Sequence, residues 1–271
     1  MRFFLFFVFL LPSNGIRLVK VSILQHDIVW GKPAENRQHL EQLIEPAPEA
    51  DLYVLPEMWS TGFAIEPEGV AEKDGITLQW MKQMSLRHDA AFAGSVAVEE
   101  DGRFYNRLYF VKPDGMAEYY DKHHLFTYGG EDKQYACGNK RVVVEWRGVR
   151  FLLTVCYDLR FPLWMRYCND YDAILCVANW PTVRIDSWNI LLRARAIENQ
   201  CYVVGVNRVG KDPNCEYCGE SAIINPYGQT VVACENDKEC SVEATFDMKG
   251  LEAFRAKFPV LNEKDKFEIT I

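Results

Sequence analysis

The chain has 271 residues, 49% of them hydrophobic and 25% charged, which is the balance of an ordinary globular protein with material for one large core. Its 38 acidic against 30 basic residues give a formal charge of -8 with no cluster of Lys and Arg, so a nucleic-acid backbone would be repelled. The cysteine count is nine, an odd number, and several, such as Cys176 and Cys201, sit in apolar runs; this argues against a disulfide framework and for a reducing, cytoplasmic setting.

Residues 1–15 form a hydrophobic leader: Met1-Arg2, an apolar run over 3–11, then Pro12-Ser13-Asn14-Gly15. That is the layout of a secretory signal, which would give an exported form, and it is too short for stable membrane insertion. The unpaired cysteines weigh on the cytoplasmic side. From residue 16 to 271 the pattern is that of one domain in which strand-like runs alternate with helix-like stretches, the signature of a layered α/β fold. The runs 16–24 and 51–55 read as strands around a helix at 35–43, and Leu55-Pro56-Glu57 ends the second strand in a loop. A helix at 76–88 precedes strands at 90–98, 104–111 and 116–120, the last leading straight into Lys122. Strands at 141–146 and 149–155 flank Arg147-Gly148 as a tight hairpin and deliver Cys156, after which Pro162 opens a helix over 163–167. A buried strand at 172–178 ends at Asn179-Trp180-Pro181, and a helix runs from Asp186 to about Gln200. Strands at 201–206, 221–224, 230–233 and 241–246 and a helix at 248–258 close the chain.

Three loop-edge positions carry reactive groups. Cys156 sits where a strand turns into a helix, and its polar sequel Tyr157-Asp158-Leu159-Arg160 is not how a fully buried strand continues. The amide of Tyr157 would then lie beside the sulfur, placed to hold an oxyanion. Glu57, framed by Val54, Leu55, Met58 and Trp59, is poorly solvated, the condition under which a carboxylate becomes an effective base. Lys122 ends a strand before the apolar pair Leu125-Phe126 and offers a fixed ammonium. Together these are the parts of a thiol hydrolase that needs no histidine. A Cys-His pair using His123 or His124 is the rival, although two successive histidines on an extended segment face opposite ways. Cys215, Cys218, Cys234 and Cys240 supply a reading of another class, a zinc-holding, non-catalytic domain, despite a spacing wrong for a ribbon and no nearby histidine.

In these contexts the chain resembles the nitrilase superfamily of carbon-nitrogen hydrolases. The likeness spans about 16–258 and rests on Leu55-Pro56-Glu57-Met58, Asp121-Lys122, Cys156-Tyr157-Asp158-Leu159-Arg160-Phe161-Pro162, Ala178-Asn179-Trp180-Pro181 and Asn207-Arg208-Val209-Gly210 in that order. It implies a four-layer α-β-β-α sandwich carrying a Glu57-Lys122-Cys156 triad, with Glu131 as the family's second glutamate orienting Lys122 and the water from a Gly-rich lid. No cofactor is implied, and a homodimer is. Trp59-Ser60-Thr61-Gly62-Phe63, Gly130-Glu131-Asp132-Lys133 and Asn179-Trp180-Pro181 resemble the omega-amidase branch, whose members hydrolyse the terminal amide of short 2-oxo acids such as 2-oxoglutaramate and 2-oxosuccinamate. Another small linear amide or an N-carbamoyl compound would use the same triad. Under this resemblance Arg184 is the expected partner of the substrate carboxylate and Trp180 a wall. Arg160 and the Arg193, Arg195 and Glu198 helix fall to structural ion pairs or a subunit interface.

Overall fold

A computed structural model describes residues 18–47 and 49–269, so the leader and the start of the first expected strand lie outside the described residues. In chain order the elements are β1 (Val19–Gln25), α1 (Pro33–Ile44), β2 (Leu52–Val54), α2 (Ile76–His88), β3 (Ala91–Glu100), β4 (Arg103–Val111) and β5 (Ala117–Asp121). There follow β6 (Val143–Trp146), β7 (Val149–Val155), α3 (Pro162–Met165), β8 (Ala173–Val177), α4 (Ile185–Asn199), β9 (Tyr202–Val206), β10 (Val209–Lys211) and β11 (Glu216–Cys218). The chain finishes with β12 (Ala222–Ile224), β13 (Thr230–Ala233), β14 (Cys240–Phe246) and α5 (Met248–Lys257).

The strands form two six-stranded sheets, ordered β14-β1-β2-β3-β4-β5 and β13-β12-β9-β8-β7-β6, with β10 and β11 as a separate ribbon. Each sheet has a parallel centre, β1-β2-β3 in one and β7-β8-β9 in the other, flanked by antiparallel strands. Parallel strands covered on both faces read as unbroken apolar runs, and their side chains divide by parity. Phe151, Leu153 and Val155 of β7 and Ala173, Leu175 and Val177 of β8 meet Val19, Val21, Ile23, Leu52 and Val54 of the other sheet. Leu152, Ile174 and Cys176 face the opposite way, onto Trp188, Leu192 and Ala196 of α4. On the far side Leu24, Tyr53 and Phe92 pack against Leu40 and Ile44 of α1 and Trp80, Met81 and Met84 of α2. The result is helix, sheet, sheet, helix, the four layers expected. Full burial of each branched or aromatic side chain in these seams is worth roughly 1.5–3 kcal/mol.

The 147–148 turn joins β6 to β7 with φ of 47° at Arg147 and 80° at Gly148, the left-handed pair that a two-residue hairpin demands. Two features depart from the sequence reading. The helix after Pro162 is a single turn ending at Met165, because Arg166 leaves the helical region with ψ of 131°. The β10-β11 ribbon has no counterpart in the sequence reading: three-residue strands are too short to show an alternation. Among the described residues no helix is long and apolar enough to cross a membrane.

Candidate active site

The carboxyl ends of the parallel strands converge on one rim, the usual place for a site in such sheets. Cys156 directly follows β7, Asn179 follows β8 by two residues, and Glu57 follows β2 through Leu55-Pro56. Lys122 comes directly after β5, and Glu131 opens a one-turn 3-10 helix, Glu131–Lys133.

Cys156 has φ of 48°, a left-handed backbone rare for a residue with a Cβ and typical of a nucleophile held at an elbow. Asp158 fixes that conformation from within. Its Oδ2 accepts the Val155 N–H at 2.9 Å and the Tyr120 hydroxyl at 2.8 Å, while Oδ1 accepts the His124 N–H at 3.0 Å. The amide of Tyr157 lies in the first turn of the 3-10 segment, where N–H groups have no helical acceptor and remain available to an oxyanion.

Lys122 is fully buried between two buried carboxylates, its Nζ 3.0 Å from Glu57 and 3.1 and 2.9 Å from the two oxygens of Glu131. Asn106 bridges the same pair, donating from Nδ2 to Glu57 at 2.7 Å and to Glu131 at 3.2 Å. Asn179 completes the cradle: its backbone N–H donates to the Glu57 carboxylate at 2.8 Å and its Nδ2 to the Glu57 carbonyl at 2.6 Å. The Phe126 N–H donates to Glu131 at 2.6 Å.

Burial would strip the proton from Lys122, but the charges of Glu131, Glu57 and Cys156 hold its ammonium well above the ordinary range. Burial also raises Glu131, with Lys122 opposing the shift and Glu57 adding to it. The Cys156 thiol is pushed well up by burial and then by the Glu57 charge, against the pull of Lys122, so its proton is held tightly. Both Cys156 and Lys122 therefore hold their protons more tightly folded than unfolded. As pH climbs past about 8.5 the unfolded chain releases its thiol proton first and stability falls from there upward. Urea midpoints measured between pH 7 and 9.5 are expected to decline, and Cys156→Ala is expected to flatten the thiol's share of the slope; an identical slope in that variant would refute the assignment.

Cys156, Glu57, Lys122 and Asn179 line one cavity with room for about 200 Å³ of water-sized occupants. Phe63, Ile65, Phe126, Tyr157 and Trp180 wall it, and the turn of the β10-β11 ribbon contributes Asp212, Asn214 and Cys215. The structure thus brings together Glu57, Lys122, Cys156, Tyr157, Trp180 and Arg184 as the sequence suggested. Glu131 stands behind Lys122 rather than on the cavity wall, so its direct contact is with the ammonium. Arg184 places its guanidinium 5.3 Å from the Phe126 ring centre and has no ion pair among the described residues.

Arg160 is a correction. Expected in a structural ion pair or subunit interface, it lines the cavity instead, its guanidinium 5.0 Å from the Trp180 ring centre and its Nη2 3.1 Å from the Ser187 hydroxyl. It too lacks an ion pair among the described residues. Arg195 does pair with Glu198, at 3.0 Å, whereas Arg193 reaches only the Thr230 hydroxyl, at 3.3 Å. The Cys-His rival fails on geometry: His123 lies flat on Trp164 at 3.9 Å and His124 flat on Phe161 at 3.7 Å, and neither reaches the cavity. The zinc reading fails likewise. Cys215 faces the cavity, the Cys234 sulfur rests 3.8 Å from the Cys240 carbonyl, and among the described residues no three such side chains gather into a metal-binding group. Sequence reasoning missed Asn106, and it quoted Asn179 and Asp158 without giving them a task.

The carbon-nitrogen hydrolase family matches residues 20–256. The chain is 42% identical over 252 residues to the omega-amidase YafV of Escherichia coli strain K12, covering 93% of this chain and 98% of that one. It is 38% identical over 250 residues to the 2-oxoglutaramate amidase of Bacillus subtilis strain 168, covering 90% and 96%. Its backbone superposes on the CN-hydrolase superfamily protein XC1258 of Xanthomonas campestris, which carries an arsenic adduct in its active site, with a TM-score of 0.90, 41% identity and coverage of 93% and 99%. Motif order, layered sheets and relatives agree, and this chain belongs to the carbon-nitrogen hydrolase family.

Proposed function

We propose that this enzyme hydrolyses the terminal amide of short 2-oxo acids, 2-oxoglutaramate and 2-oxosuccinamate, to the dicarboxylate and ammonia. The observation that carries the reading is a single small cavity holding a thiol on a left-handed elbow, a buried ammonium between two carboxylates, and two arginines with no ion pair among the described residues. The names of the two relatives above support the substrate class.

Glu57 takes the thiol proton as the Cys156 sulfur bonds to the amide carbon, and the carbonyl electrons move to an oxyanion held by the Lys122 ammonium and the Tyr157 N–H. Glu57 then gives the proton to nitrogen, the C–N bond breaks and ammonia leaves a thioester. Water loses a proton to Glu57 and attacks that thioester; the C–S bond breaks, and the sulfur regains its proton from Glu57. A protonated resting thiol suits this order, since the base acts at the moment of attack. Glu131 keeps Lys122 charged and fixed in place. Arg184 neutralises the distal carboxylate, and Trp180 bounds the chain.

Ammonia release from a panel of 2-oxo acid amides, glutamine, asparagine and carbamoyl compounds tests the proposal. The 2-oxo acid amides are expected to lead in kcat/KM by at least about tenfold, and a different leader would replace the substrate class.

In the same reading the domain is 16–271, the leader is separable, the enzyme works in the cytoplasm, and it is a homodimer. Ile190 and Ile197, spaced by seven on α4, are apolar and 66% and 54% exposed. A second copy of this chain would cover them. Ile190→Glu is expected to halve the mass seen by light scattering while the far-ultraviolet spectrum stays native; an unchanged mass places the interface elsewhere.

A further inference from the structure

We propose that Arg160 reads the 2-oxo group of the substrate and so separates 2-oxo acid amides from 2-amino acid amides. The inference rests on the amidase reading above and adds to it a residue that decides specificity.

2-Oxoglutaramate with its amide carbon at the Cys156 sulfur presents its groups in a fixed order: two methylenes, the 2-oxo carbon, then the carboxylate. The two arginines follow a matching order. Arg160 is four residues beyond Cys156 on the same 3-10 segment, on the order of 8 Å along its axis, and it stacks on Trp180, which is buried. Arg184 stacks on Phe126, whose ring neighbours that of Tyr128, itself 86% exposed, so it stands on the rim side. The nearer oxygen therefore falls to Arg160 and the terminal carboxylate to Arg184.

The remaining charges of the cavity make the choice selective. Lys122 is spent on Glu57 and Glu131, and Glu57 already accepts from Lys122, Asn106 and Asn179. Asp212 accepts the N–H groups of Asn214 and Cys215, each at 2.7 Å, and the Tyr217 hydroxyl at 2.5 Å. Glu57 is thus committed to Lys122, and Asp212 is tied by these three neutral donors to the ribbon's own turn, leaving Arg160 as the charge beside Trp180. A 2-oxo oxygen accepts a guanidinium N–H, whereas the 2-ammonium of glutamine meets a like charge at Arg160. A neutral 2-methylene, as in glutaramate, gains nothing and loses nothing at that point.

The test compares kcat/KM for 2-oxoglutaramate, glutaramate and glutamine in the wild-type enzyme, Arg160→Met and Arg184→Met. Arg160→Met is expected to lower 2-oxoglutaramate turnover by at least about tenfold relative to glutaramate, with glutamine held or improved. Arg184→Met is expected to depress all three together, as the loss of a shared carboxylate anchor does. If Arg160→Met lowers all three equally, Arg160 is an anchor or a packing residue and the proposal falls. If the three ratios do not move, it falls as well. Both results leave the amidase standing, whereas a wild-type enzyme that releases ammonia from none of the three removes the amidase reading itself and Arg160's role with it.

Discussion

Cys156→Ala is expected to lower ammonia release by at least about 1,000-fold, with the urea midpoint at pH 7 close to that of the parent. In the proposed reaction this sulfur forms the bond to the amide carbon, and no other thiol is placed to take over. Cys215 lines the same cavity from the ribbon turn, but it has neither the elbow nor the Lys122-Glu57 pair beside it. The fold survives because Cys156 is half-buried at the cavity and makes no hydrogen bond that the sheet depends on. The backbone gives this position a second signature. At φ of 48° a Cβ is unfavourable by about 1–2 kcal/mol, so Cys156→Gly is expected to be at least as stable as Cys156→Ala, the reverse of the usual order within regular structure. Retained turnover in either variant would end the nucleophile assignment; an alanine variant clearly more stable than the glycine one would show that the elbow is not under strain.

Lys122→Met is expected to abolish turnover and to cost about 3–5 kcal/mol of stability, the largest stability loss among the substitutions considered. The two carboxylates on either side are fully buried, so removing the ammonium leaves like charges facing each other with only Asn106, Asn179 and the Phe126 amide to satisfy them. Adding Glu131→Gln is expected to return part of the stability and none of the activity, because it removes one of the stranded charges but restores no cation at the oxyanion. Urea unfolding of the single and double variants measures the coupling. A Lys122→Met protein as stable as its parent would mean that the three groups are not the buried charged cluster described.

The sheets were legible because their parallel strands are covered on both faces: 149–155 and 172–178 could be read almost to the residue as largely apolar runs. Helix α2 matched at both ends, bounded by left-handed residues at Gly75 and Asp89. The ribbon escaped because its pairing depends on a local turn built by Asp212, not on a periodicity. Among site residues, the triad stood out by apolar context and by its family motifs. Asn106 sits in the middle of β4, and nothing in its neighbourhood says that Glu57 and Glu131 will arrive from distant segments. Arg160 was misread for the opposite reason: its motif was clear, but a motif does not say which way a long side chain turns, and only the position of Trp180 decides that.

The four bonds gathered by Asp158 tie the reactive elbow of one sheet to Tyr120 and His124, which bracket the lysine delivered by the other. Sulfur and cation are thereby riveted together across the seam between layers, and neither can drift while the seam holds. Heat inactivation of this enzyme should accordingly coincide with loss of the whole fold, without an earlier phase in which an intact scaffold carries a misaligned centre.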